Sequence, residues 1–485
     1  MRPKLQLLDS ATVERVIAEA FQLLQSPGIK VGSAGALDLL KAAGAKVNDS
    51  ISQIPRSLAE DALASVPRRF YLYDGTGNAA VAYGGDAVHF DPGSSCLNIL
   101  DPRTQKPRPA LSADLIRMVQ VAETLPQFAA QSTAMVCNDV PSTMGDWYRL
   151  LLVLWYSNKP VVTGAFSTAT LQTMLELLTL ASGGSDNLRR KPRAVFDVCP
   201  SPPLNWSDFA SENLIQLARS GVPAEIVSMP LAGATAPVTL AGSIVQHAAE
   251  CLGGITIHQL ACPGAPIVWG GAPAILDMST GNTPMGSIET TMLNLGCAEV
   301  GKSLGLPTHG YMVASDSRFL DAQAGLESGG STLLGALTGI NMISGAGMLD
   351  FLACHSVEKL IFDAEAIGYA QRLIAGIDPR GESLAVDTFT QVGLGGEFLK
   401  LKETRVLFHR EQHFPSAVID RATDVAQLGI DSRLKTRVAE LLANYQPAEM
   451  APAIREQLLA FAIQRAYAVG LSELPGVAEM MAGCQ

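Results

Sequence analysis

The chain is short of charge. Only 17% of its 485 residues are Asp, Glu, Lys or Arg, while 48% are hydrophobic; an average soluble domain has roughly a quarter charged. A large part of the chain must therefore be buried. The charge that remains leans acidic, with a formal net charge of -11, and no basic patch stands out. A general nucleic-acid binder needs a cationic surface to displace counterions from phosphates, so that class is excluded. Long apolar runs are missing as well: nowhere do about 18 apolar residues follow one another, and the opening MRPKLQLLDSATVERVIAEAFQLLQS holds no uninterrupted apolar segment. The expectation is a soluble, cytoplasmic protein without membrane contact. The eight cysteines (96, 137, 199, 251, 262, 297, 354 and 484) form no CxxC pair and no regular spacing, which excludes a disulfide framework and leaves buried thiols.

Several chemical signatures are also absent. There is no GxGxxG and no GxxxxGK[ST], so neither a dinucleotide nor a phosphate-loop fold is indicated. HExxH and two-His, one-carboxylate spacing are missing, and no metal site is expected. GxSxG is missing too, which leaves hydrolysis without a nucleophile.

What is present is a repeating alternation. Residues 9–28 read as an amphipathic helix capped by Asp9 or Ser10, with Val13, Ile17, Phe21 and Leu24 on one face and Pro27-Gly28 as its end. A second helix, SAGALDLLKAAG, closes at Gly44, and mixed short elements continue to about residue 85. From 128 onward short β-rich runs recur: 128–136, 160–165, 194–201, 224–231, 266–272, 308–313, 341–347 and, less clearly, 383–393. Helical segments separate them. Eight strand and helix units suit a closed (β/α)8 barrel of the α/β class. The expected organisation is an N-terminal helical and mixed extension (1–115), a barrel (116–410) and a helical C-terminal cap (411–485) carrying RLKTRVAELLANY and AIREQLLAFAIQRAYAVG.

Active sites of such barrels lie in the loops after the strands. There the chain places Trp206 and Phe209 in CPSPPLNWSDF, Met229 after Ser228, Trp269, Tyr311, and His355 in MLDFLACHSVEK. Aromatic faces and a soft thioether suit an apolar or cationic ligand; each residue taken singly also suits packing. Glu250 and Glu289 fall in helical segments, where a cap or surface role competes with an active-site role.

The runs IVSMPLAGATAPVTLAG (226–242), GNTPMGSIET (281–290), SDSRFLDAQAG (315–325), GALTGINMISGAGML (335–349) and VEKLIFD (357–363) together resemble the trimethylamine methyltransferase family. These are corrinoid-dependent methyltransferases built on a TIM barrel. The resemblance covers most of residues 10–415 in order. Founding members carry pyrrolysine one position before the SD pair; here that position is Ala314.

The resemblance therefore implies a member without pyrrolysine, acting on a substrate that is already activated. A quaternary amine is one, because its methyl group leaves a neutral tertiary amine. Glycine betaine, giving dimethylglycine, is the expected substrate; proline betaine, carnitine, butyrobetaine and choline are rivals, and a non-catalytic betaine-binding barrel is the rival of another class. Phe90, Trp206, Phe209, Met229, Trp269 and Tyr311 are expected to surround the cation. His355 stands where trimethylamine enzymes carry phenylalanine and is expected to meet the betaine carboxylate. Glu250, Asp316 and Gln323 are expected to position the site, and Glu289 and Ser315 also fall on matching positions. No DxHxxG motif occurs, so cobalamin must arrive free or on a corrinoid protein partner. The resemblance also implies a homo-oligomer.

Overall fold

The computed structural model describes residues 2–421, 429–471 and 473–476. Its centre is a ring of eight parallel strands: β1 His89–Pro92, β2 Gln131–Ser132, β3 Val161–Gly164, β4 Ala194–Val198, β5 Ala224–Ile226, β6 Ile267–Val268, β7 His309–Tyr311 and β8 Met342–Ala346. Strands β2 to β6 form one run of parallel pairs, and β7, β8 and β1 form another. Backbone hydrogen bonds close both seams. Ala129 N donates to Phe90 O (3.0 Å) and Cys96 N to Ala134 O (3.0 Å) between β1 and β2. Trp269 N donates to Pro307 O (2.9 Å) and His309 N to Trp269 O (3.0 Å) between β6 and β7. A helix follows each strand: α1 Ser112–Thr124, α2 Gly145–Tyr156, α3 Thr168–Ala181, α4 Asp208–Ser220, α5 Leu240–Ala261, α6 Ile288–Ser303, α7 Ala322–Thr338 and α8 Val357–Ile374.

Two expectations about where the barrel runs need correction. Its first strand is HFDP, inside the segment assigned to the N-terminal extension, and 383–393 instead contains the exposed helix Val386–Val392. The reason is local. HFDP is four residues long, holds an acid and ends in proline, so it lacks the apolar signature of a buried strand. A hairpin, Phe70–Tyr73 with Ala79–Tyr83, closes the bottom of the ring. Its Leu72, Val81 and Tyr83 pack in one cluster with Ala130, Val162, Val195, Val268 and Met342.

The N-terminal helices Ser10–Gln25 and Arg56–Ser65 lie against α5. That contact explains why α5, 22 residues long, is buried around its whole circumference from Ser243 to Gln259. Strand Ile29–Val31 adds to the loop after β4, pairing Val31 with Trp206 in parallel register. The C-terminal helices Ile430–Ala443 and Pro452–Ala468 pack on α1, α8, α2 and α3, along the side of the barrel. Among the described residues no helix is long and apolar enough to cross a membrane. The described cysteines are free thiols, five of them buried with Cys199 and Cys262 partly exposed; Cys484 lies outside the described residues.

Candidate functional site

Alternation along a strand sends every second side chain into the barrel. On β4 and β5 the register places Asp197 beside Glu225, with Gly164 of β3 on the other side of Asp197. On β1 and β8 the inward positions include Asp91 and Ser344, and β7 contributes His309 and Tyr311. Together these form a polar belt directly above the apolar plug. Tyr83 donates its hydroxyl to Glu225 Oε2 (3.2 Å), Ser344 Oγ bonds Asp91 Oδ1 (2.5 Å), and His309 Nε2 bonds Ser344 Oγ (3.0 Å). His309 Nδ1 faces Glu225 Oε1 at 3.4 Å without hydrogen-bond geometry.

Three carboxyl groups thus share one closed space. Burial pushes Asp197 up to about 7. Burial also raises Glu225, with the charges of Asp197 and Asp91 adding to it, and raises Asp91. His309 cannot offset them, because burial drags its imidazole down to about 3 and leaves it neutral. Among the described residues no lysine or arginine pairs with any of the three. Asp91 Oδ2, Asp197 Oδ1 and Glu225 Oε1 have no hydrogen-bond partner. Burial without a counter-charge favours the protonated, neutral form of these acids, and a cation seated beside them would favour their ionised form instead. Among the described residues no group of three His, Cys, Asp or Glu is arranged to hold a metal ion.

Above the belt the lining turns apolar: Val227, Ala272, Ala274, Met285 and Tyr311 form one cluster, with Leu231 and Leu352 against it. The Tyr311 hydroxyl accepts from Ser94 N (2.7 Å), which turns the ring into the barrel. Acid below and apolar surface above suit a methylated ammonium, which brings charge but few or no N–H donors.

The expected site residues divide sharply. Tyr311 lines the chamber, and Met229, 43% exposed, sits in the loop after β5. Phe90 and Trp269 are fully buried but point outward from their strands, Phe90 into the main core and Trp269 onto α6, where its indole donates to Cys297 O (2.9 Å). Trp206 is fully buried between the N-terminal strand and α5, and Phe209 is an exposed residue of α4. None of these four faces the chamber. For Trp269 the strand was legible, but the side of the strand was not.

The acids expected to position the site turn out to tie loops together. Glu250, on α5, accepts from Leu204 N (2.9 Å), Ser228 Oγ (2.6 Å) and Gln246 Nε2 (3.0 Å), which fastens the loops after β4 and β5 to the helix. Asp316 accepts from Met285 N (2.8 Å) and Gly286 N (2.9 Å), joining the loops after β6 and β7, and burial lifts it to about 6. Gln323 is exposed and donates to Glu327 Oε1 (2.8 Å), whose other oxygen accepts from Ser315 Oγ (2.6 Å) and Asp316 N (2.9 Å). Glu289 is exposed in the first turn of α6. Ala314 is buried at the end of β7. His355 is buried in a rim strand opposite Met348, its ring held near 3 by burial and by the cation of Lys359.

Comparison with known proteins agrees with this architecture. A family model described as trimethylamine methyltransferase matches residues 1–470. The chain is 30% identical over 433 residues to a trimethylamine methyltransferase of Desulfitobacterium hafniense (strain DSM 10664 / DCB-2), covering 88% of this chain and 87% of that protein. It is 28% identical over 473 residues to a glycine betaine methyltransferase of Desulfitobacterium hafniense (strain Y51), covering 96% and 98%. The crystal structure of the Methanosarcina barkeri monomethylamine methyltransferase superposes with a TM-score of 0.52 at 10% identity over 92% of this chain and 90% of that one, a likeness of fold. With a match that runs almost end to end and a barrel to go with it, this chain belongs to the trimethylamine methyltransferase family.

Proposed function

We propose that the protein transfers a methyl group from a quaternary amine to a corrinoid, free or carried by a partner protein. The observation that supports this most is the belt of Asp91, Asp197 and Glu225, two buried carboxyl groups and one partly buried, with no lysine or arginine among the described residues to pair with. A corrinoid at the barrel mouth would supply the nucleophile that takes the methyl group, while the bond electrons stay on nitrogen and the amine leaves neutral. Everything else falls to the chain. The carboxylates hold the ammonium, and Tyr311 with the apolar cluster around Val227 and Met285 excludes water from it. The mouth suits a broad apolar partner: Leu97, Phe166, Met229, Met278 and Phe319, on five different loops, are all exposed. No pyrrolysine takes part, since alanine occupies position 314.

Glycine betaine is the first candidate substrate, because a glycine betaine methyltransferase matches along nearly the whole chain. One observation favours a second reading. The belt contains no cation to meet a substrate carboxylate, so a quaternary amine without one, of the choline kind, fits the chamber electrostatically. His355, proposed from sequence as the carboxylate partner, would have to serve as a neutral donor. Incubating the protein with reduced cobalamin and a panel of betaines, choline and trimethylamine should give methylcobalamin from a quaternary amine and none from trimethylamine. Turnover of trimethylamine alone would sink the proposal.

The same chamber sets a pH dependence. Asp197, pushed up to about 7 by burial, is protonated at lower pH and must release that proton to meet a cation, so affinity should rise with pH through about 7. Below that point the slope is about tenfold per pH unit for one proton. Calorimetric titration in two buffers of different ionisation heat reads the released proton directly; equal heats and a flat affinity profile would remove the pair from the site.

A further inference from the structure

At the opposite end of the barrel, on the face formed by the strand N-termini, lies a second cavity of about 550 Å³. It is bounded by the plug hairpin's turn, Gly75 to Gly77, and by Arg190, Lys191 and Arg193 from the segment leading into β4. Four of the five residues 189–193 are cationic, a local concentration that the acidic average of the chain conceals.

Arg193 is the informative member. It is 6% exposed, and among the described residues its guanidinium has no recorded hydrogen bond or ion pair; its Nε is buried without a partner. Asn158 Oδ1 lies 2.8 Å and Arg193 Nη2 3.0 Å from the point where a β-carbon on residue 75 would stand, so glycine there leaves room beside the guanidinium. The nearest carboxylates are already engaged: Asp74 Oδ1 accepts from Thr76 N (2.9 Å) and Asn78 N (2.9 Å), and Glu123 Oε1 accepts from Asn158 N (3.2 Å) while its other oxygen takes Ser157 Oγ. Arg193 nevertheless stays charged at neutral pH, since burial lowers it only to about 10. Lys191 spends one donor on Gly77 O (2.8 Å), and Arg190 Nη2 bonds Asn187 Oδ1 (2.7 Å). Both retain donors that face the cavity. A buried, unpaired guanidinium is costly, and an anion seated beside it removes that cost.

We propose that this cavity is a second ligand site, which takes a phosphate dianion, free or as the terminal group of a small phosphomonoester, between Arg193, Arg190 and Lys191. Phosphate fits better than carboxylate because three cations line the cavity against one acid, Asp74, and a guanidinium fork spans two phosphate oxygens at once. The cavity is larger than a bare phosphate needs, and Ala181 and Ile454 give it an apolar wall for an organic remainder.

The test is calorimetric titration of the full chain at constant ionic strength with inorganic phosphate, glycerol 3-phosphate and acetate. Saturable one-site binding of a phosphate species, with acetate silent, is expected. Charge-assisted hydrogen bonds are each worth about tenfold or more in affinity, so Arg193→Gln should weaken binding by at least that factor. Arg190→Gln combined with Lys191→Gln, both exposed positions, should do the same and decides the matter if Arg193→Gln fails to fold. Tighter binding of glycerol 3-phosphate assigns the ester; equal affinity assigns free phosphate. No saturable heat up to roughly 10 mM, which corresponds to under about 3 kcal/mol of binding free energy, overturns the proposal. So does unchanged affinity in the double variant.

Discussion

Glu225→Gln should lower kcat/KM for a quaternary amine by roughly 10³ and, in the same protein, raise the thermal midpoint at neutral pH. The first effect follows from loss of the charge that Glu225 takes on when it gives up its proton beside the bound ammonium. A carboxylate about 4 Å from an ammonium contributes roughly 4 kcal/mol at an effective dielectric of 20, close to three powers of ten. The glutamine oxygen can still accept from Tyr83, so the lost charge rather than a lost contact is what the variant reports.

The second effect follows from proton linkage. Burial raises the carboxyl groups of Glu225 and Asp197, so the folded state binds protons that the unfolded state releases. Such a group costs stability as pH climbs from the unfolded value near 4 to the folded one, and the cost persists above it. The gain in midpoint should therefore be present at pH 8 and nearly gone at pH 4. A variant that keeps activity within about threefold of the parent would show that Glu225 does not face the substrate.

The second large effect is expected at a residue that the sequence assigned to the substrate. Trp206→Ala should cost about 3 to 5 kcal/mol of stability, the range for truncating a buried aromatic. Its indole lies against α5 where Gly254 leaves the space: a β-carbon there would stand 2.3 Å from Trp206 Cζ2. Its backbone oxygen accepts from Gly32 N (2.8 Å), which seals the N-terminal strand onto the loop after β4. Gly254→Ala should push the same ring aside and destabilise in parallel. In protein that remains folded, KM for the amine should stay within about threefold of the parent value. A steep rise in KM with an unchanged melting curve would return Trp206 to the cation site.

Those two residues show what kind of information was missing. Trp206 is conspicuous in a sequence because tryptophan is rare, yet its place was decided by a strand 175 positions earlier, which pairs Val31 with it. Asp197 and Glu225 were there to be read. AVFDV and AEI each carry one acid within a buried, otherwise apolar strand, a pattern that packing alone would disfavour. That period-two signal could have found them, and an inspection confined to residues past the strand ends overlooked it. Asp91 was harder, because its strand does not resemble one.

The chain's own sequence determined the alternation of strands and helices, the closed barrel that such alternation suits, the family, and the alanine at position 314. These are local or linear properties, set by which residues follow which. Tertiary structure alone decided which side chains meet. Ring closure brings Asp91 against Ser344, 253 positions away, and strand register sets Asp197 beside Glu225 while turning Phe90 and Trp269 outward. The physical reason is that a side chain's direction alternates with every residue of a strand, so a one-residue uncertainty in register exchanges the chamber wall for the core.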